Sequence, residues 1–262
     1  MINIRNLFSL LLVYIIFCSA VFAKDLRFVQ ITDVRYSKQN NPEVLKKVIS
    51  DINGRKDIDF VVFTGDNIDK PDIKNLKDFI AEAKQLRKPF YVVIGDKDVN
   101  KHKDLSKKDY QKILKKNIPN CKSKDVNYTF EKEGVVFMVV DGAKDVIPST
   151  NGYYKDSVVE WVDANLDLYS DKNVVILQHF PLITPEDNEN YATFKPQKYI
   201  DVLQKHNNVK AVIAGHFGIN KEENINGIVH IITAPAPNYR IIDILDCTSK
   251  TPSFWAEVMN VK

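Results

Sequence analysis

Three apolar runs, each closing on an aspartate, constrain this chain more than anything else in it: "FVQITD" ends at Asp33, "FVVFTGD" at Asp66 and "YVVIGD" at Asp96. Near-continuous apolar runs of this length, cut off by Gly or a polar residue, read as strands buried on both faces. The segments between them have helical spacing. Residues 42–52, "PEVLKKVISDI", place Val44, Leu45, Val48, Ile49 and Ile52 on one face, and "PDIKNLKDFIAEAKQL" opens with Pro71 at an expected helix start. Strand, helix, strand, helix, strand is the signature of parallel crossovers and therefore of an α/β fold.

The carboxyl half repeats the device with a different residue. "NVVILQH" ends at His179 and "VKAVIAGH" at His216. Between the halves, "VNYTFEKEGVVFMVVDG" predicts a hairpin turning at Lys132-Glu133-Gly134, and "DSVVEWVDANLDLY" a helix capped by Asp156 or Ser157. The tail reads as further strands. Ligands of open α/β sheets collect beyond the carboxyl ends of the parallel strands. Five such ends would bring Asp33, Asp66, Asp96, His179 and His216 to one rim. An Asp after a strand is often only a helix cap, and one His at a strand end is ordinarily a bonded core residue. Five together are what a divalent-metal site requires. His102, His206 and His230 have no such placement and read as structural or exposed.

Residues 1–23 have a positive start at Arg5, an apolar stretch from Leu7 to Phe17 and a Val21-Phe22-Ala23 cleavage pattern, the layout of a secretory signal peptide. Residues 24–262 then form one domain, with no membrane span and an expected secreted or periplasmic location. Cleavage would remove Cys18 and leave Cys121 and Cys247, either as one disulfide or as two buried thiols. The net charge of +3 gives no specific nucleic-acid signal. Lysines do bunch between Lys97 and Lys124, which reads as a solvated, partly helical insertion open to a polyanionic partner.

The strand ends resemble the blocks of the calcineurin-like metallophosphoesterases: D-x-H, G-D-x-x-D, G-N-H-[DE], a lone His, and G-H-x-H. Here they are Asp33-Val34-Arg35, Gly65-Asp66-Asn67-Ile68-Asp69, Gly95-Asp96-Lys97-Asp98, His179, and Gly215-His216-Phe217-Gly218. The resemblance implies a four-layer α/β/β/α sandwich and hydrolysis of a phosphate ester or binding of another anionic ligand. It also implies which residues hold metal. One family ion uses the first-block Asp and His, the shared Asp and the last His; here Asp33 and Asp66 persist, but the histidines are Arg35 and Gly218. The other ion would be held by Asp66, Asp96, His179 and His216. The expected cofactor is therefore one divalent transition metal (Mn, Fe or Zn) rather than two. The family's catalytic His is Lys97 here. Arg35 and Lys97 are the expected catalytic cations, replacing the charge of the absent ion, with Asn67 and Asp69 shaping the loop. The competing readings are a pseudoenzyme that binds an anion on the same scaffold, and a vestigial rim with partner contacts on the lysine-rich segment.

Overall fold

A computed structural model of the chain describes residues 25–39, 41–183 and 191–261. The expected signal peptide, Cys18 and residues 184–190 of the loop after His179 lie outside the described residues. Strands β1 (Leu26–Ile31), β2 (Phe60–Thr64) and β3 (Phe90–Val93) are parallel neighbours, with Ile31 beside Phe63 and Thr64 beside Val93. Strands β10 (Asn238–Leu245) and β11 (Ser253–Asn260) extend this sheet antiparallel on the β1 side, in the order β11-β10-β1-β2-β3. The second sheet runs β4-β5-β6-β7-β9-β8: β4 (Tyr128–Lys132), β5 (Val135–Val140), β6 (Val174–Gln178), β7 (Val209–Ala214), β9 (Ile228–Ile232) and β8 (Lys221–Ile225). Its centre, β5-β6-β7-β9, is parallel. The β4–β5 hairpin turns where expected, with Glu133 and Gly134 both at positive φ, 47° and 82°, as a tight hairpin turn demands.

The two sheets face each other across an apolar layer that includes Phe28, Phe60, Val62, Val93, Phe137, Val139, Val175, Leu177 and Ile213. The Phe28 and Phe60 rings stack at 4.8 Å, and Phe137 meets both edge-on. Helices α1 (Pro42–Gly54), α2 (Ile73–Ala83) and α3 (Lys107–Asn117) cover the outer face of the first sheet. Helices α4 (Asp156–Leu168) and α5 (Gln197–Lys205) cover the second. This is the expected four-layer α/β/β/α sandwich.

Three local expectations are corrected. Helix α2 begins two residues beyond Pro71, because the Asp72 side chain accepts the Asn75 N–H and takes the cap position itself. Helix α4 is entered through Lys155 with no side-chain cap, so Asp156 is its first residue and Ser157 lies inside it. The lysine-rich segment is helical as expected but more than a solvated insertion: Leu105, Tyr110, Leu114, Ile118 and Cys121 enter the outer core of the first sheet. Cys121 belongs to that outer core and Cys247 to the inter-sheet layer; both are buried free thiols.

Candidate metal centre

The residues after β1, β2, β3, β6 and β7 meet at one rim, as the strand-end pattern requires. Asp33, Arg35, Asp66 and His216 all adopt positive φ, between 46° and 72°. Non-glycine residues in this left-handed region are uncommon and cluster at functional sites, where the fold holds them against a local cost. The backbones also approach closely. A Cβ on Gly95 would lie 2.2 Å from the Asp66 nitrogen, and one on Gly215 would lie 1.9 Å from Thr32 Oγ1. Only glycine fits at either place.

His179 donates Nδ1–H to the Thr64 carbonyl at 2.8 Å, leaving Nε2 as the nitrogen free to coordinate. His216 faces the Tyr191 carbonyl through Nε2 at 3.1 Å, which frees Nδ1. Those two free nitrogens lie 3.2 Å apart, each 3.3 Å from Asp96 Oδ1, and His179 Nε2 is 3.5 Å from Asp66 Oδ1. Donor atoms of Asp96, His179 and His216 thus lie within 4.8 Å of one another, and His179 shares a second such group with Asp33 and Asp66, with backbone carbonyls orienting both imidazoles in the manner common around bound metals. Burial disfavours charge on His179, yet Asp66, Asp96 and Asp33 outweigh it and lift its pKa to about 10. Burial likewise opposes an ionised Asp96, but His179 and His216 hold its carboxyl well below the usual range. The field at this point calls for a positive charge, from a proton or a metal ion. Donors of this kind, carboxylates with imidazoles, fit a divalent transition metal.

The neighbouring position is built differently. Asp33 spends Oδ2 on the Thr32 hydroxyl at 2.8 Å and the His216 N–H at 2.9 Å, while Oδ1 lies 3.4 Å from Arg35 Nη2. Asp66 Oδ1 accepts the Lys97 N–H at 2.9 Å. Its other oxygen is buried without a hydrogen bond, flanked by Lys97 Nζ at 3.4 Å and Arg35 Nε at 3.6 Å. Lys97 Nζ also lies 3.6 Å from Asp96. Burial would lower the lysine's pKa, but Asp66 and Asp96 raise it, so the amine stays charged. Arg35 thus turns its guanidinium toward both aspartates while its side chain stays half-exposed, and Gly218, at φ 73°, offers no side chain. Asp33, Asp66 and His179 also group closely enough to hold an ion, but Arg35 lies against both aspartates and Lys97 against Asp66, and among the described residues His179 is the nitrogen donor of that group.

Asp98 was legible as part of the third block, but its role was not. Fully buried, it accepts the Asn67 and Ile68 N–H groups at 2.7 and 3.0 Å and the Gly95 N–H at 2.8 Å. It thereby ties the loop bearing Asp96 to the loop bearing Asp66. Asn67 completes the tie through Asp98, the Val93 carbonyl and Tyr110, and so shapes the loop as expected. The Thr64 and Tyr191 carbonyls carry no signal in a sequence. The other histidines stay apart: His102 is exposed, His206 pairs with Asp163, and His230 lies in β9.

Comparison with known proteins agrees with the fold. The sequence profile of the calcineurin-like phosphoesterases matches residues 26–219. The chain belongs to that family. A relative from Arcobacter nitrofigilis, named as a probable glycerophosphodiester phosphodiesterase GpdQ, is 26% identical over 220 residues, covering 79% of this chain and 73% of that protein. Two solved structures share the fold at lower identity. A dimetal phosphatase from Danio rerio matches with a TM-score of 0.65 at 14% identity, over 90% of this chain and 99% of that one. GAP50, the anchor in the inner membrane complex of Plasmodium, matches at 0.58 and 15%, over 91% and 89%.

Proposed function

We propose that this family member is an exported phosphodiesterase that works with one metal ion, using Arg35 and Lys97 in place of the second. The observation that carries the reading is the position of Asp66. One of its oxygens faces the His179 imidazole, and the other sits between the guanidinium and the ammonium. Asp66, Asp96, His179 and His216 would hold the ion. When bound, such an ion lowers the pKa of its water toward neutrality and polarises a phosphoryl oxygen.

Arg35 offers a planar fork suited to two phosphate oxygens, and its half-exposed side chain can meet a ligand at the rim. Lys97 stands where the family places a histidine. Because the two aspartates keep it charged, it acts on a leaving oxygen as a fixed positive charge rather than as a proton shuttle. A diester is the favoured substrate class, on the strength of the activity named for the A. nitrofigilis relative.

The same cations also favour a second reading, an anion-binding protein without catalysis, since both stand at positions where the family keeps histidines. Hydrolysis of an aryl phosphodiester with added Mn²⁺ separates the two. Metal-dependent turnover that falls at least about 100-fold in His216→Ala is expected for the enzyme. No Mn²⁺-dependent hydrolysis of diester or monoester would overturn it and leave the binding protein.

A further inference from the structure

The candidate ligands come from two separate layers. Asp66 and Asp96 follow strands of the first sheet, and His179 and His216 follow strands of the second. The distances among these donors therefore depend on how one sheet is placed over the other. The layer between them is almost wholly apolar. Apolar contact is non-directional and tolerates small slippage, so it does not fix that placement by itself.

A buried polar chain interrupts the layer at the end nearest the rim. Gln30, on β1, donates to Thr64 Oγ1 at 2.9 Å and across the gap to the Ala214 carbonyl at 2.8 Å. Its own carbonyl accepts the hydroxyl of Thr233, which follows β9, at 2.5 Å. Arg240, on β10, donates Nε–H to Thr233 Oγ1 at 3.1 Å and Nη2–H to the Ile232 carbonyl at 3.2 Å, and pairs with Glu222 on β8. Gln30, Thr64 and Thr233 are fully buried and Arg240 is 2% exposed. Both Gln30 and Arg240 reach from the first sheet to the second.

The carboxamide of Gln30 has a partner for each of its N–H groups and for its oxygen. Two of its partners adjoin the residues that carry the two imidazoles. Thr64 supplies the carbonyl that orients His179, and Ala214 directly precedes Gly215-His216. Fully satisfied buried networks of this kind specify one arrangement more than they add net stability.

We propose that Gln30 is a positioning residue for the metal centre. It fixes the placement of the histidine-bearing sheet over the aspartate-bearing sheet, through Thr233 and the Ala214 carbonyl. The inference rests on the single-metal reading, and Co²⁺ alone serves as the probe. Gln30→Leu and Thr233→Val break the chain from opposite sheets. Each is expected to weaken Co²⁺ binding by about 10-fold or more and to change the intensity of the visible absorption of the bound ion.

Val162→Ala, a cavity in the α4 layer far from the chain, is the control. It should lower Tm while leaving affinity and spectrum unchanged. Unchanged Co²⁺ affinity and spectrum in both chain variants, whatever their Tm, would overturn the proposal and reduce the network to a structural one. Failure of the unsubstituted protein to bind Co²⁺ is a different result: it would overturn the metal reading itself, and this inference with it.

Discussion

Arg35 lies 3.4 Å from Asp33 and 3.6 Å from Asp66, where the family pattern has a metal-binding histidine. Two buried carboxylates that close together repel unless a cation lies between them, and a guanidinium supplies that charge permanently. Arg35→Ala is expected to cut diester kcat/KM by about 100-fold, the usual scale for losing one group that meets developing charge. Metal content should be unchanged, because Arg35 is outside the donor set. Steady-state kinetics beside elemental analysis checks both halves. An unaltered kcat/KM would make Arg35 an ordinary surface cation. At this scale the sequence said much: all five acid and imidazole positions and both cations stand at the rim that the strand ends predicted. It was silent on the role of Asp98 and on the Thr64 and Tyr191 carbonyls. A buried carboxylate binding backbone N–H groups has no periodic signature, and a carbonyl has no residue type.

The loop after β3 approaches the loop after β2 so closely that Gly95 has no room for a methyl group against the Asp66 backbone. Gly95→Ala must displace Asp66, and a metal affinity at least about 10-fold weaker is expected. Gly54, at the end of α1, has nothing within 4 Å of an added Cβ. Gly54→Ala should leave affinity as it was, and a metal titration of both variants compares them directly.

Strand β9 carries a separate test. Burial pushes His230 down to about 4, against a smaller opposing effect of Glu223 on β8. Between about pH 6.5 and 4 the unfolded chain takes up a proton that the folded chain refuses. Stability from this group is complete above that window and declines as pH falls through it, by at most about 1.4 kcal/mol per pH unit. Urea unfolding from pH 7 to 4.5 should show a shallower decline in His230→Gln than in the parent. An identical pH slope would show that His230 is not held neutral. Elements were legible where the apolar period was strong, as in β2, β3, β6 and β7. They were misjudged where a cap decided the boundary: Asp72 set the start of α2, and Lys155, which no capping rule favours, led into α4.

Across the whole molecule, two sheets with their helices were foreseeable from the order of periodic segments and the family blocks. The antiparallel addition of β10 and β11 to the β1 edge was not, because the tail's strands carry no mark of which sheet they join. Nor did cysteine spacing decide between a disulfide and two thiols. The fold decides it by putting Cys121 in the outer core and Cys247 between the sheets, each thiol pushed up to about 11 by burial. The same layering makes the site a joint product of two sheets, so that its chemistry depends on their alignment. Metal content per folded chain, by elemental analysis of protein purified without chelators, tests the single-ion centre most directly. About one transition-metal ion per chain, lost in His179→Ala, is the expected result. Two ions per chain, or none even after soaking in Mn²⁺ or Zn²⁺, would contradict it.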